Sequence, residues 1–174
     1  MSDSLFLDPF AQPPSDGPAR AAAPDAKQAP EPPSDEASAS LTAEVPLAAD
    51  RAVEAFLEYV HLWWPAALRS CGEDSHLGFE EGTLLEEGLD GSRHRWADVV
   101  GTHDGSLSLR WFGTTGDQAA RTGLDVTLEF TIASMTRTLV TVRGSGAPSF
   151  RQDWHPVLEG YARFAGGTVR PAAA

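Results

Sequence analysis

Cysteine and lysine are nearly missing from this 174-residue chain. Cys71 is the only cysteine, which excludes an internal disulfide and any metal site built on paired thiolates. Lys27 is the only lysine, against twelve arginines. It precedes the core-forming sequence, so the folded part has no lysine for a Schiff base or a phosphate-binding loop. Basic charge in general is short: 13 Lys and Arg against 25 Asp and Glu give a net charge of −12. That balance removes the footprint that nucleic acid or an anionic membrane surface needs. Long hydrophobic runs are absent too. Leu5-Phe6-Leu7 is too short for a signal h-region or a membrane span, and no basic stretch precedes it. These absences predict a cytoplasmic protein with no nucleic-acid partner and no membrane partner.

What is present is unevenly distributed. Residues 1–38 hold eight of the thirteen prolines, a run of mostly small residues from Ala19 to Ala23 and few aliphatics. Such a segment buries too little apolar surface to offset its ordering entropy, which predicts a disordered acidic tail. Within it, Leu5-Phe6-Leu7-Asp8-Pro9-Phe10 is an apolar patch. It reads either as a docking peptide for a protein partner's groove or as an incidental terminal segment. From residue 39 to 168 the texture is that of one domain, with a flexible C-terminus at 169–174. The 41% of hydrophobic residues suffices for a core.

The first strand is marked by Leu41, Ala43 and Val45 alternating with Thr42 and Glu44, and ends at Pro46. Asp50 reads as the N-cap of a helix that places Val53, Phe56, Leu57 and Val60 on one side and closes on Trp63-Trp64-Pro65. A train of short strands follows: His76–Glu80, Thr83–Glu86, Arg93–Gly101, Leu107–Trp111, Leu124–Ile132 and Thr138–Arg143. Turns fall at Leu89-Asp90-Gly91-Ser92 and His103-Asp104-Gly105, and residues 113–123 form a polar loop. Leu124 to Ile132 alternates most cleanly. The last element, Phe150–Phe164, is a helix with Trp154, Leu158 and Tyr161 on one face and Pro156 in its first turns. An antiparallel sheet with one apolar face needs a cover, and this helix supplies it. The fold class is therefore α+β.

The run Val45-Pro46, Arg51 to Phe56 and Trp63-Trp64-Pro65 resembles the opening of bacterial domains similar to the C-terminal domain of the heat-shock-protein-90 ATPase activator. These belong to the START-like, helix-grip (SRPBCC) superfamily. The resemblance continues through Leu77-Gly78-Phe79-Glu80 with Gly82, and Asp90-Gly91-Ser92 with Trp96-Ala97-Asp98-Val99. It closes with Leu107 to Trp111 and Asp153-Trp154, Leu158 and Phe164, covering residues from about 40 to 166. This chain departs from the pattern at Gly82-Thr83, where paired glycines are usual, and at Thr102-His103-Asp104, where Pro-Pro is usual. The resemblance implies a curved antiparallel sheet of six to seven strands gripping a long C-terminal helix around a cavity. It further implies a non-enzymatic domain that binds a small apolar ligand or a protein partner there. A co-chaperone-like interaction module and a polyketide cyclase- or hydrolase-like enzyme are the alternatives, and fold does not choose among them.

In a cavity of that kind the lining would come from His94, Arg95, Trp96, Leu109, Trp111, Leu128, Phe130, Val140, Trp154, Leu158 and Tyr161. Arg95 or His94 would anchor a carboxylate on an apolar ligand. The competing reading is that Arg93 and Arg95 pair across strands with acids such as Glu86 or Glu87, and that the tryptophans are core. The five histidines, His61, His76, His94, His103 and His155, form no spaced ligand pair, so no metal is expected. Neither a nucleophile motif nor a cofactor motif is present, and no catalytic residue is assigned.

Overall fold

The computed structural model describes residues 39–114, 123–145 and 147–171. The Leu5–Phe10 docking peptide, the predicted disorder of the tail and most of the 113–123 loop lie outside the described residues.

The first alternating stretch forms strand β1 (Ala39–Val45), with Ala39, Leu41, Ala43 and Val45 buried. Helix α1 (Ala49–Glu58) follows and buries Ala52, Ala55 and Phe56. Its N-cap is Ala48 rather than Asp50. Asp50 sits inside the first turn, where its carboxylate meets the positive end of the helix dipole. The single helix expected to reach Trp64 is interrupted at Tyr59 (φ −107°) and resumes as a short α2 (Val60–Trp63). Trp64 is already extended (ψ 132°), as a residue before proline must be. One 3₁₀ turn, Ala66–Leu68, leads away from it.

Strands β2 (His76–Glu80), β3 (Thr83–Glu87), β4 (Arg93–His103), β5 (Ser106–Trp111), β6 (Leu124–Ser134) and β7 (Arg137–Gly144) form an antiparallel meander. β1 pairs beyond β7, and a short β8 (Thr168–Arg170) pairs beyond β1. The spatial order is β2-β3-β4-β5-β6-β7-β1-β8. β8 carries the sheet past the expected domain boundary at 168, because Thr168, Val169 and Arg170 pair with Glu44, Ala43 and Thr42. A flexible terminus beginning at 169 is thus corrected for Val169 and Arg170.

The covering helix, α3 (Ala147–Phe164), begins three residues before the expected Phe150. Pro156 therefore lies in its interior rather than in its first turns, where it removes one hydrogen bond to the Gln152 carbonyl. The sheet curls around α3 and α1, and their shared core holds Trp96, Trp111, Trp154, Leu158 and Tyr161.

Candidate functional site

The space between the sheet and α3, where a cavity is expected from the resemblance, is occupied by aromatic rings. All five tryptophans belong to one chain of contacts. Trp63 meets Trp64 at 6.1 Å between centroids, Trp64 meets Trp96 at 4.9 Å, Trp96 meets Trp111 at 5.6 Å and Trp111 meets Trp154 at 4.8 Å. Phe56 and Tyr161 extend the chain towards Phe130. Offset and edge-on contacts at these spacings are the favourable ones for aromatic pairs. Leu109, Leu128, Val140 and Leu158 fill the gaps and are fully buried. The Tyr161 hydroxyl donates to the Ala52 carbonyl at 2.7 Å, tying α3 to α1, and burial pushes its phenol well above the ordinary range. Of the eleven residues named from the sequence as pocket lining, nine therefore sit in this close-packed layer. The other two, His94 and Arg95, are polar.

His94 is half-buried and its Nε2 lies 2.9 Å from the Gly113 carbonyl, with its ring 4.6 Å from Trp96. Arg95 is engaged with Asp98: its Nε and a terminal nitrogen donate to the two carboxylate oxygens at 2.8 and 2.5 Å. Its guanidinium also lies 5.2 Å from the Phe112 ring centroid. A guanidinium committed to a two-point carboxylate pair is poorly placed to take a ligand's carboxylate as well. Arg93 pairs with Glu87 at 3.2 Å, one of the cross-strand acids named for it.

Glu86, the other acid named, is held by hydrogen bonds of a different kind. It is fully buried and receives four donors: the Ser70 and Cys71 amides at 2.9 Å each, the Ser75 hydroxyl at 2.5 Å and the Trp96 indole at 2.9 Å. Burial alone would raise its pKa. The Ser75, Ser70, Cys71 and Trp96 donors outweigh that cost and hold the carboxyl below the usual range, as expected for a carboxylate fed by several N–H and O–H groups. This constellation pins the 70–75 segment to the sheet. With its carboxylate fully buried and fed by four donors, it acts as a structural clamp.

An apolar recess lies elsewhere, between α1 and the β4–β5 turn. It is a cleft of about 460 Å³ bordered by Val53 and Leu57 of α1, Leu107 of β5 and Phe130 of β6, with Ala49, Asp50 and residues 102–106 around its mouth. Helical spacing places Val53 and Leu57 one turn apart on the same flank of α1. The turn itself is fixed by Asp104 (φ 36°) and Gly105 (φ 78°), a left-handed pair that suits a tight hairpin. A Cβ at Gly105 would also stand 3.3 Å from the Phe130 carbonyl oxygen, and the Gly105 carbonyl accepts from the Phe130 amide at 2.8 Å. Phe130 is the one residue of the sequence-derived lining that borders this cleft. The others were missed because half-buried valines and leucines on a helix flank look like ordinary core, and the 103–105 run reads simply as a turn. A second recess of about 510 Å³ lies between α3 and β8, but its wall carries His155, Glu159, Arg163 and Arg170. An apolar floor with a few polar groups at the mouth is the usual make-up of a small-molecule site.

Among the described residues no cluster of three His, Cys, Asp or Glu side chains is arranged to hold a metal ion. No helix among them is long and apolar enough to cross a membrane.

No protein-family model matches the sequence, and no curated protein matches it by sequence. Solved structures do match. An Hsp90 activator from Plasmodium falciparum superposes with a TM-score of 0.52 at 15% identity, over 76% of this chain and 99% of that one. The self-sacrificing resistance protein CalC from Micromonospora echinospora gives 0.54 at 19% identity, over 74% and 92%. A protein from Nitrosomonas europaea gives 0.52 at 12%, over 78% and 97%. The fold is the START-like helix-grip fold.

Proposed function

We propose that this protein is a binding domain that takes a small apolar molecule into the cleft between α1 and the β4–β5 turn, without transforming it. The observation that carries this reading is the contrast between two places on the same sheet face. Beneath α3 the face is closed by five interlocked tryptophans, whereas beside α1 it opens into a cleft floored by Leu107 and Phe130. The polar groups that a cyclase- or hydrolase-like reaction would recruit, His94, Arg95 and Tyr161, are held by Gly113, Asp98 and Ala52 and none borders the cleft. The site of action would be the cytoplasm, where Cys71 stays a thiol.

The test is a thermal-shift screen of apolar compounds of six to twelve heavy atoms against the wild type and Val53→Trp, which fills the cleft from a half-buried position. Stabilisation of the wild type that disappears in Val53→Trp supports the reading. No stabilisation, or stabilisation that Val53→Trp leaves intact, contradicts it.

A second reading, a chaperone-linked interaction module, is favoured by the fold shared with the Hsp90 activator and by exposed Val100, Ile132 and Met135 around the β4–β5 and β6–β7 turns. Deleting residues 1–38 separates a partner held through Leu5–Phe10 from a ligand held in the cleft: the first is lost and the second survives.

A further inference from the structure

The charges around the cleft mouth narrow the class of molecule it accepts. Its border includes two carboxylates, Asp50 at the start of α1 and Asp104 in the β4–β5 turn, and no lysine or arginine. The one basic side chain on the border is His103, whose Nε2 lies 3.5 Å from the Asp104 carboxylate. The nearest arginine in sequence, Arg51, is held by Glu54 at 2.5 Å. Opposing these carboxylates is the N-terminal end of α1, which borders the mouth at Ala49 and Asp50. A helix end carries about half a positive charge, less than two full carboxylates. The thirteen basic and twenty-five acidic residues of the chain give the same sign at long range. An anionic ligand head therefore meets repulsion at the mouth, and the guanidinium that a carboxylate would seek, Arg95, is paired with Asp98.

We infer that the cleft selects amphiphiles with a cationic head, an alkyl or aryl amine, the apolar body lying on Leu107 and Phe130 and the ammonium between Asp50 and Asp104. The inference rests on the cleft being the binding site. Both carboxylates are solvent-facing, so the selectivity is moderate and salt-dependent.

The experiment compares octylammonium, 1-octanol and octanoate by calorimetric titration at pH 7 and low salt, on the full chain and three variants. In the wild type octylammonium binds about tenfold more tightly than octanoate, with octanol between them, as two screened charge contacts allow. Asp50→Asn with Asp104→Asn brings the three affinities to within about twofold and leaves octanol unchanged. Glu73→Gln with Asp74→Asn makes the same change in net charge away from the cleft and preserves the tenfold preference. Octanoate binding as tightly as octylammonium, or a preference that survives Asp50→Asn with Asp104→Asn, overturns the charge selection while leaving the cleft intact as a site. Absence of binding by all three, or binding untouched by Val53→Trp, overturns the cleft itself and the selection with it.

Discussion

The Trp96 indole donates a 2.9 Å hydrogen bond to the Glu86 carboxylate, and both side chains are wholly out of solvent. This joins the aromatic layer to the clamp on the 70–75 segment. A buried carboxylate is costly unless its lone pairs are filled, and here four donors fill them. Glu86→Gln removes the charge and turns one acceptor into an NH₂ group facing other donors. We expect a loss of about 2 kcal/mol in urea unfolding, the usual range for hydrogen bonds to a charged group.

The same carboxylate makes stability depend on pH in one direction. Its folded pKa lies below the ordinary 4.5, so its contribution is present above that value and is lost as pH falls through the lower folded one. Unfolding measured between pH 7 and pH 3 should show the gap between wild type and Glu86→Gln closing as the medium becomes acid. A gap of constant size would mean that the carboxylate is not held in its charged form.

Two tryptophans that touch each other at 4.9 Å should respond differently to the same change. Trp96 has its indole nitrogen bonded to Glu86, while the buried nitrogen of Trp64 has no hydrogen-bond partner among the described residues. Replacing either by phenylalanine removes similar volume, but Trp96→Phe also takes a donor from a buried carboxylate. Trp96→Phe should therefore cost at least about 1 kcal/mol more than Trp64→Phe by chemical denaturation.

Gly160 lies in α3, where alanine ordinarily stabilises by about 1 kcal/mol. Here a Cβ would stand 2.5 Å from the Trp63 carbonyl oxygen, at the crossing of α3 over α2. Gly160→Ala should lower the melting temperature rather than raise it, since backbone on both sides cannot yield as a side chain would.

Tyr161→Phe tests whether the phenol does more than tie two helices. Its hydroxyl donates to Ala52 in the interior, and burial moves its ionisation far from neutral pH. The expected result is a loss of about 1 kcal/mol in stability, with the affinity of a cleft ligand unchanged.

Much of the architecture is readable from the residues alone. Period-two patterns at Leu41–Val45, Leu107–Trp111 and Leu124–Ile132 fix which side of each strand faces α3, and the Trp154, Leu158 and Tyr161 spacing fixes the face of α3. Alternation fails where the register shifts. Leu84 and Leu85 oppose Ala97 and Arg95, so Trp96 is an extra residue in β4, and Trp96 and Ala97 are both buried. A second shift around Val100 leaves that valine exposed. Such bulges break the face assignment downstream, which is why Arg95 can turn to Asp98 rather than towards a ligand. Glu86 reads as a surface acid because its donors are two backbone amides, the Ser75 hydroxyl and a distant indole, none of which marks a partner in the sequence. The cleft was illegible for a different reason: it lies between a helix flank and a turn that are separated by some fifty residues and are brought together only by the curl of the sheet.

On the proposed reading a small apolar molecule lies beside α1 and not beneath α3. Methyl-resolved NMR of the full chain, titrated with 1-octanol, tests it most directly. Shifts are expected to concentrate on Val53, Leu57 and Leu107, with Leu109, Leu128, Val140 and Leu158 unmoved. Shifts centred on Leu109, Leu128 and Leu158 would contradict it.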